Sequence, residues 1–147
     1  MQIIIDADAC PVNDIVISFA RTNAIPCIMV SDMNHVLKSD YATVYTVDKG
    51  RDSADFKIMK LAQKGDIVVT QDYGLASLLI SKSVYAIHPS GKIYDSDSMD
   101  LMLYERFMAQ KARNEGKRTK NMSKRTKQDN LTFKTAFEQL VTKVMTK

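Results

Sequence analysis

Five carboxylates stand where folding could gather them at one place: Asp6 and Asp8, Asp52 and Asp55, and Asp72. Gln2 to Ile5 reads as a buried strand, and Asp6 and Asp8 sit where that strand must end. Ligands of open parallel sheets collect at the carboxyl ends of the strands, so an acidic pair at such an end marks a candidate site. Carboxylates roughly 4 to 6 Å apart repel by about 4 kcal/mol per close pair at an effective dielectric near 20, and a hard divalent cation is the natural compensator. Mg²⁺ takes oxygen ligands, keeps several waters and completes its shell with substrate phosphate, and Mn²⁺ can replace it. The substrate class implied by that chemistry is a phosphate ester.

Helix capping explains part of the same pattern. Asp52 and Asp72 each precede an apolar helical run, as N-cap residues do, and Asp55 would stabilise its helix from the first turn. What capping leaves over is Asp6 and Asp8 together with two further acidic helix starts on one sheet edge. Thr70 and Gln71, just before Asp72, would line the crevice. Cys10 lies near a helix N-terminus, which lowers a thiol pKa, but among carboxylates that raise it; it reads as a small packed residue. His35 and His88 have no Cys or His at metal spacing and read as structural. The scattered glycines form no phosphate-binding loop.

The elements that position these residues alternate. Strands are expected over 2–5, 26–30, 42–47, 66–70 and 84–87, from short apolar runs rich in β-branched residues. Helices are expected over 11–22, 53–64 and 73–81, from apolar residues at helical spacing. Alternation of this kind implies parallel βαβ units. The C-terminal part breaks the pattern, with a helix over 98–114, a basic loop over 116–130 and a helix over 131–146. The 147 residues are the size of one domain, divided into an α/β body over 1–95 and a helical appendage over 96–147.

Net charge is only +4, but Arg106 to Lys127 carries nine basic residues against one acid, Glu115. Such a segment suits a polyanion such as RNA, and a solvated charged tail would look much the same. Lys117, Arg118, Lys120, Lys124 and Arg125 are the candidate phosphate clamps. Two cysteines without Cys-x-x-Cys spacing make no disulfide framework. No run approaches the roughly 20 apolar residues of a membrane span. A cytoplasmic protein with no membrane partner is expected, and its oligomeric state is left open.

The motifs Asp6-Ala7-Asp8-Ala9-Cys10-Pro11-Val12, Gly50-Arg51-Asp52-Ser53-Ala54-Asp55, Val69-Thr70-Gln71-Asp72-Tyr73-Gly74-Leu75-Ala76 and Arg118-Thr119-Lys120 resemble those of the YaiI/YqxD family of uncharacterised bacterial proteins, over nearly the whole chain. That family is grouped with the PIN-like domains. The resemblance implies a three-layer, Rossmann-like α/β fold with a central, mostly parallel sheet, here of five strands, and an acidic crevice that in PIN nucleases binds Mg²⁺ or Mn²⁺ and cleaves RNA. Carried over by position, Asp6 matches the first-strand aspartate, Asp55 the helical acidic position often held by Glu, and Asp72 the aspartate after the fourth strand. Asn121-Met122 stands where Gly-Pro is expected after the Arg-Thr-Lys motif.

The leading expectation is a metal-dependent phosphodiesterase acting on RNA. Asp6, Asp55 and Asp72 would be catalytic and, with Asp8 and Asp52, hold Mg²⁺ or Mn²⁺. A non-catalytic RNA-binding or regulatory protein is the alternative, and a phosphatase with an aspartate nucleophile in Asp6-Ala7-Asp8 the third.

Overall fold

A computed structural model of the chain describes residues 1–32, 37–48, 50, 53–116 and 124–147. Its centre is β1 (Ile3–Asp6), whose Ile3, Ile4 and Ile5 are fully buried because both faces of the sheet are covered. Parallel partners flank it: β2 (Cys27–Asp32) on one side and β4 (Ile67–Val69) on the other. Outside these lie β3 (Thr43–Val47), β5 (Tyr85–Ile87) and a sixth strand, β6 (Ile93–Tyr94), giving the order β3-β2-β1-β4-β5-β6.

Five strands were expected and six are present among the described residues. The extra strand β6 is two residues long and antiparallel to β5, too short for periodicity to register. Its turn depends on Gly91, at φ +94°, where an added Cβ would meet the Thr132 carbonyl oxygen at 3.2 Å.

Two helical layers sandwich the sheet. On one face α1 (Asn13–Thr22) and α5 (Lys127–Met145) share a core with Ile3 and Ile5 through Val12, Val16, Phe133 and Phe137. On the other, α2 (Ser53–Leu61) and α3 (Tyr73–Ser81) pack Ile58, Leu75 and Leu79 against Ile4 and Val68. A further helix, α4 (Ser96–Asn114), joins that second core through Met99. The chain is thus a three-layer, mostly parallel α/β fold.

Helix boundaries differ from expectation for identifiable reasons. The first helix begins at Asn13 rather than Pro11, because Ala9 adopts φ +54° and the Cys10 N–H bonds back to the Ala7 carbonyl, spending those residues on a turn. The last begins at Lys127 rather than Leu131, because Thr126 and Asp129 form a reciprocal capping box; the basic loop expected over 116–130 therefore ends before Lys127. Asp95 and Ser98 start α4 in the same way, at Ser96.

Phe133 is fully buried and Phe56 is 74% exposed. Phe133→Ala is expected to lose about 3–5 kcal/mol in denaturant unfolding, from lost transfer energy and the cavity left behind. Phe56→Ala should stay within about 0.5 kcal/mol of the parent.

Candidate functional site

The strand order reverses between β1 and β4, so the crevice of this doubly wound sheet opens where those two strands end. Register sets Ile5 beside Val69, which brings Asp6 next to Thr70. The Thr70 hydroxyl donates to Asp6 Oδ2 at 2.9 Å and accepts the backbone N–H of Asp72 at 3.0 Å. Asp72 in turn caps α3, its Oδ1 accepting the Leu75 N–H at 3.0 Å. Gln71 reaches across the crevice, donating from Nε2 to the Ala9 carbonyl at 3.1 Å.

Burial and neighbouring charge act together on Asp6. Loss of solvation pushes its carboxyl up to about 6; the Thr70 hydroxyl pulls the other way, and the charges of Asp8 and Asp72 push it further up. Both Asp8 oxygens accept the backbone N–H of Asp32, at 3.2 and 3.1 Å. Asp66 provides the contrast. At the opposite edge of the sheet, its carboxylate accepts the Gln2 and Gln63 N–H groups and the Gln2 side-chain amide. Asp66 is thus a structural acid with three protein donors, whereas Asp6 accepts the Thr70 hydroxyl and lies near the charges of Asp8 and Asp72.

Beside Asp72 an open cleft of about 610 Å³ runs between the sheet edge and α4, lined by Asp72, Tyr73, His88, Lys92, Tyr94 and Arg106. Arg106 lies over the Tyr73 ring at 5.3 Å, and the Tyr73 hydroxyl donates to the Met99 carbonyl. Tyr94 donates to the Thr70 carbonyl at 3.2 Å, and burial together with Asp72 drives its phenol up to about 12. His88 Nδ1 accepts the Ser90 N–H, and burial followed by Arg125 and Lys92 lowers its pKa. Sequence reasoning missed this wall, setting His88 aside, passing over Lys92 and Tyr94, and counting Arg106 only as one charge of the basic segment. The Gly91 turn and the Asp95-x-x-Ser98 cap were the signals that could have found it.

The expected site residues fall into four groups. Asp6, Asp8, Thr70, Gln71 and Asp72 converge on the crevice, with Asp32 beside Asp8 as an acid that sequence reasoning did not single out. Asp55 is half-buried in the first turn of α2. Asp52, Lys117, Arg118 and Lys120 lie outside the described residues, as does His35. Of the remaining basic candidates, Lys124 is exposed, whereas Arg125 is half-buried and donates to Asn130 and to the Pro89 carbonyl, tying the start of α5 to the turn after β5. Cys10 is buried, its thiol raised to about 11 chiefly by loss of solvation, in keeping with a packing role.

Among the described residues no three His, Cys, Asp or Glu side chains group closely enough to hold an ion between them. Mg²⁺ is commonly bound through one or two carboxylates and completed by water and phosphate, and Asp6 and Asp72 are oxygen donors of that chemical type.

Comparison with known proteins adds a family context. The profile of the family described as "Uncharacterized BCR, YaiI/YqxD family" matches residues 4–143. A UPF0178 protein of Clostridium novyi is 46% identical over 147 residues, covering 100% of this chain and 99% of that protein. Another from Clostridium kluyveri is 47% identical over 141 residues, covering 96% and 93%, and one from Oceanobacillus iheyensis is 42% identical over 147 residues, covering 97% and 100%. No solved structure matches significantly.

The raised Asp6 pKa has a thermodynamic sign. Between the ordinary 3.8 and the folded value of about 6, the native state keeps a proton that the unfolded chain has released, so stability falls as pH rises through that window, by about 3 kcal/mol in total. Asp6→Asn should therefore be more stable than the parent above pH 6, with the difference vanishing below about pH 4. Thermal or urea melts from pH 3.5 to 8 measure this, and an Asn variant less stable than the parent at neutral pH would contradict it.

Proposed function

The chain belongs to the YaiI/YqxD family, and from that premise we propose that it is a Mg²⁺- or Mn²⁺-dependent phosphodiesterase acting on RNA. The observation that carries this reading is the state of Asp6: a carboxyl buried at the topological switch point, raised to about 6, with the charges of Asp8 and Asp72 acting on it. A folded protein keeps such a destabilised group where a ligand or a reaction repays it.

Asp6 and Asp72 would hold the ion, which when bound supplies Lewis acidity to a phosphoryl oxygen and to an attacking water. The Thr70 hydroxyl fixes the spacing of these two residues by bonding to both. Asp8, anchored on the Asp32 N–H, adds negative potential that favours a cation over a proton at Asp6. Lys92 and Arg106, on the wall of the adjoining cleft, would take phosphates of a strand leading away from Asp72, with Arg106 able to grip one bidentately. Tyr73 offers a ring on which a base could stack.

A second reading, RNA binding without turnover, is favoured by one observation: no three potential ligands group among the described residues. On that reading Lys92 and Arg106 in the cleft do the work, and the acidic crevice binds at most a weakly held ion.

Labelled single-stranded and structured RNA incubated with Mn²⁺ or Mg²⁺ separates the two. Cleavage is expected in the parent, with losses of about a hundredfold or more in kcat for Asp6→Asn and Asp72→Asn. Cleavage unaffected by both substitutions would overturn the mechanism, and binding with no cleavage by the parent would favour the second reading. Lys92→Ala and Arg106→Ala should each weaken RNA binding and flatten its dependence on salt by about one phosphate contact. Unchanged affinity and slope would exclude the cleft as the path of the strand.

A further inference from the structure

The helix α4 carries its apolar side outward. At 100° per residue, Met99, Met102, Arg106 and Ala109 fall on the arc that meets the body: Met99 is buried in the second core, and the other three line the cleft. Tyr104, Phe107 and Met108 fall on the far arc, flanked by Leu101 on one side and Leu103 on the other, all between 41 and 62% exposed. A surface helix normally turns such a stripe toward its own core. Isolated exposed apolar residues are ordinary, but five large ones contiguous on one helix mark an interaction surface.

The stripe is bounded by opposite charges. Asp97 and Asp100 lie at its N-terminal end and Lys111 at its C-terminal end, about 21 Å away along the helix at 1.5 Å per residue. It is also symmetric about its midpoint. A two-fold axis near residues 104 and 105 sets Leu101 opposite Met108 of a second copy, and Leu103 opposite Phe107 of that copy. It also brings Lys111 to Asp97 and Asp100 of the second copy. The helix dipoles then run antiparallel, each negative end beside the other's positive end. A surface complementary to itself under one rotation is what an isologous dimer requires.

We propose that α4 joins two copies of this chain in an antiparallel helix pair through its outward stripe, with Lys111 of each copy engaging the acidic first turn of the other. The pairing uses the side of α4 turned away from the cleft, so each copy keeps its crevice open. The proposal does not depend on the phosphodiesterase reading.

Sedimentation across a concentration series tests it on the intact chain. The parent should move from the mass of one chain to that of two as concentration rises. Phe107→Glu, at an exposed position, should raise the dissociation constant about thirtyfold or more, as loss of a central aromatic anchor does. Lys111→Glu should weaken the dimer, and adding Asp97→Lys and Asp100→Lys to it should restore association by reversing every pair. Far-UV circular dichroism checks that each variant stays folded. A parent that remains monomeric, a dimer indifferent to Phe107→Glu, or a reversed-charge variant that fails to recover would each overturn the proposal.

Discussion

One hydroxyl joins the two strands on which the candidate site depends. Thr70, fully buried at the end of β4, donates a hydrogen bond to Asp6 and accepts one from the Asp72 N–H. It thereby connects the end of the central strand to the cap of the next helix. Without a donor at that position the Asp6 carboxylate would be buried still more poorly compensated, since a buried acceptor without a partner costs roughly 1–3 kcal/mol, more when charged. The bond is possible only because β1 and β4 are neighbours, a consequence of sheet order rather than of sequence proximity.

The remainder of the fold supplies rigidity around that bond. Ile3, Ile4 and Ile5 are buried on alternating faces against two separate helical layers, so the backbone leading to Asp6 cannot move without disturbing both cores. Close packing of this kind holds a carboxyl where electrostatics alone would not leave it. The same rigidity fixes the cleft, whose far wall is set by a two-residue strand and by α4, itself capped by the reciprocal Asp95 and Ser98 bonds.

Much of this was legible in the sequence. Residues 73–81 form a helix as periodicity implies, and Asp6 and Asp72 fall at neighbouring strand ends because alternating strands and helices leave few ways to wind a sheet. β6 was not legible, since two residues carry no period, and with it went the cleft wall of Lys92 and Tyr94. The role of Thr70 was read only as lining, because its two hydrogen bonds depend on strand register. Charge counting marks Arg125 as a candidate phosphate clamp, and its bonds to Asn130 and Pro89 add a tertiary contact that charge counting does not reveal. The outward stripe of α4 looks in sequence like any amphipathic helix, and only packing shows which side faces the body.

The central claim is that Asp6 is a destabilised carboxyl poised to exchange a proton for a divalent cation. Carbon-13 NMR titration of the Asp6 carboxyl, without and with saturating Mg²⁺, measures this directly. The account predicts a pKa near 6 in the free protein, displaced to or below the ordinary 3.8 when Mg²⁺ is present, because a cation on the carboxylate competes with the proton. A value near 3.8 in the free protein, or one near 6 that Mg²⁺ leaves in place, would contradict it.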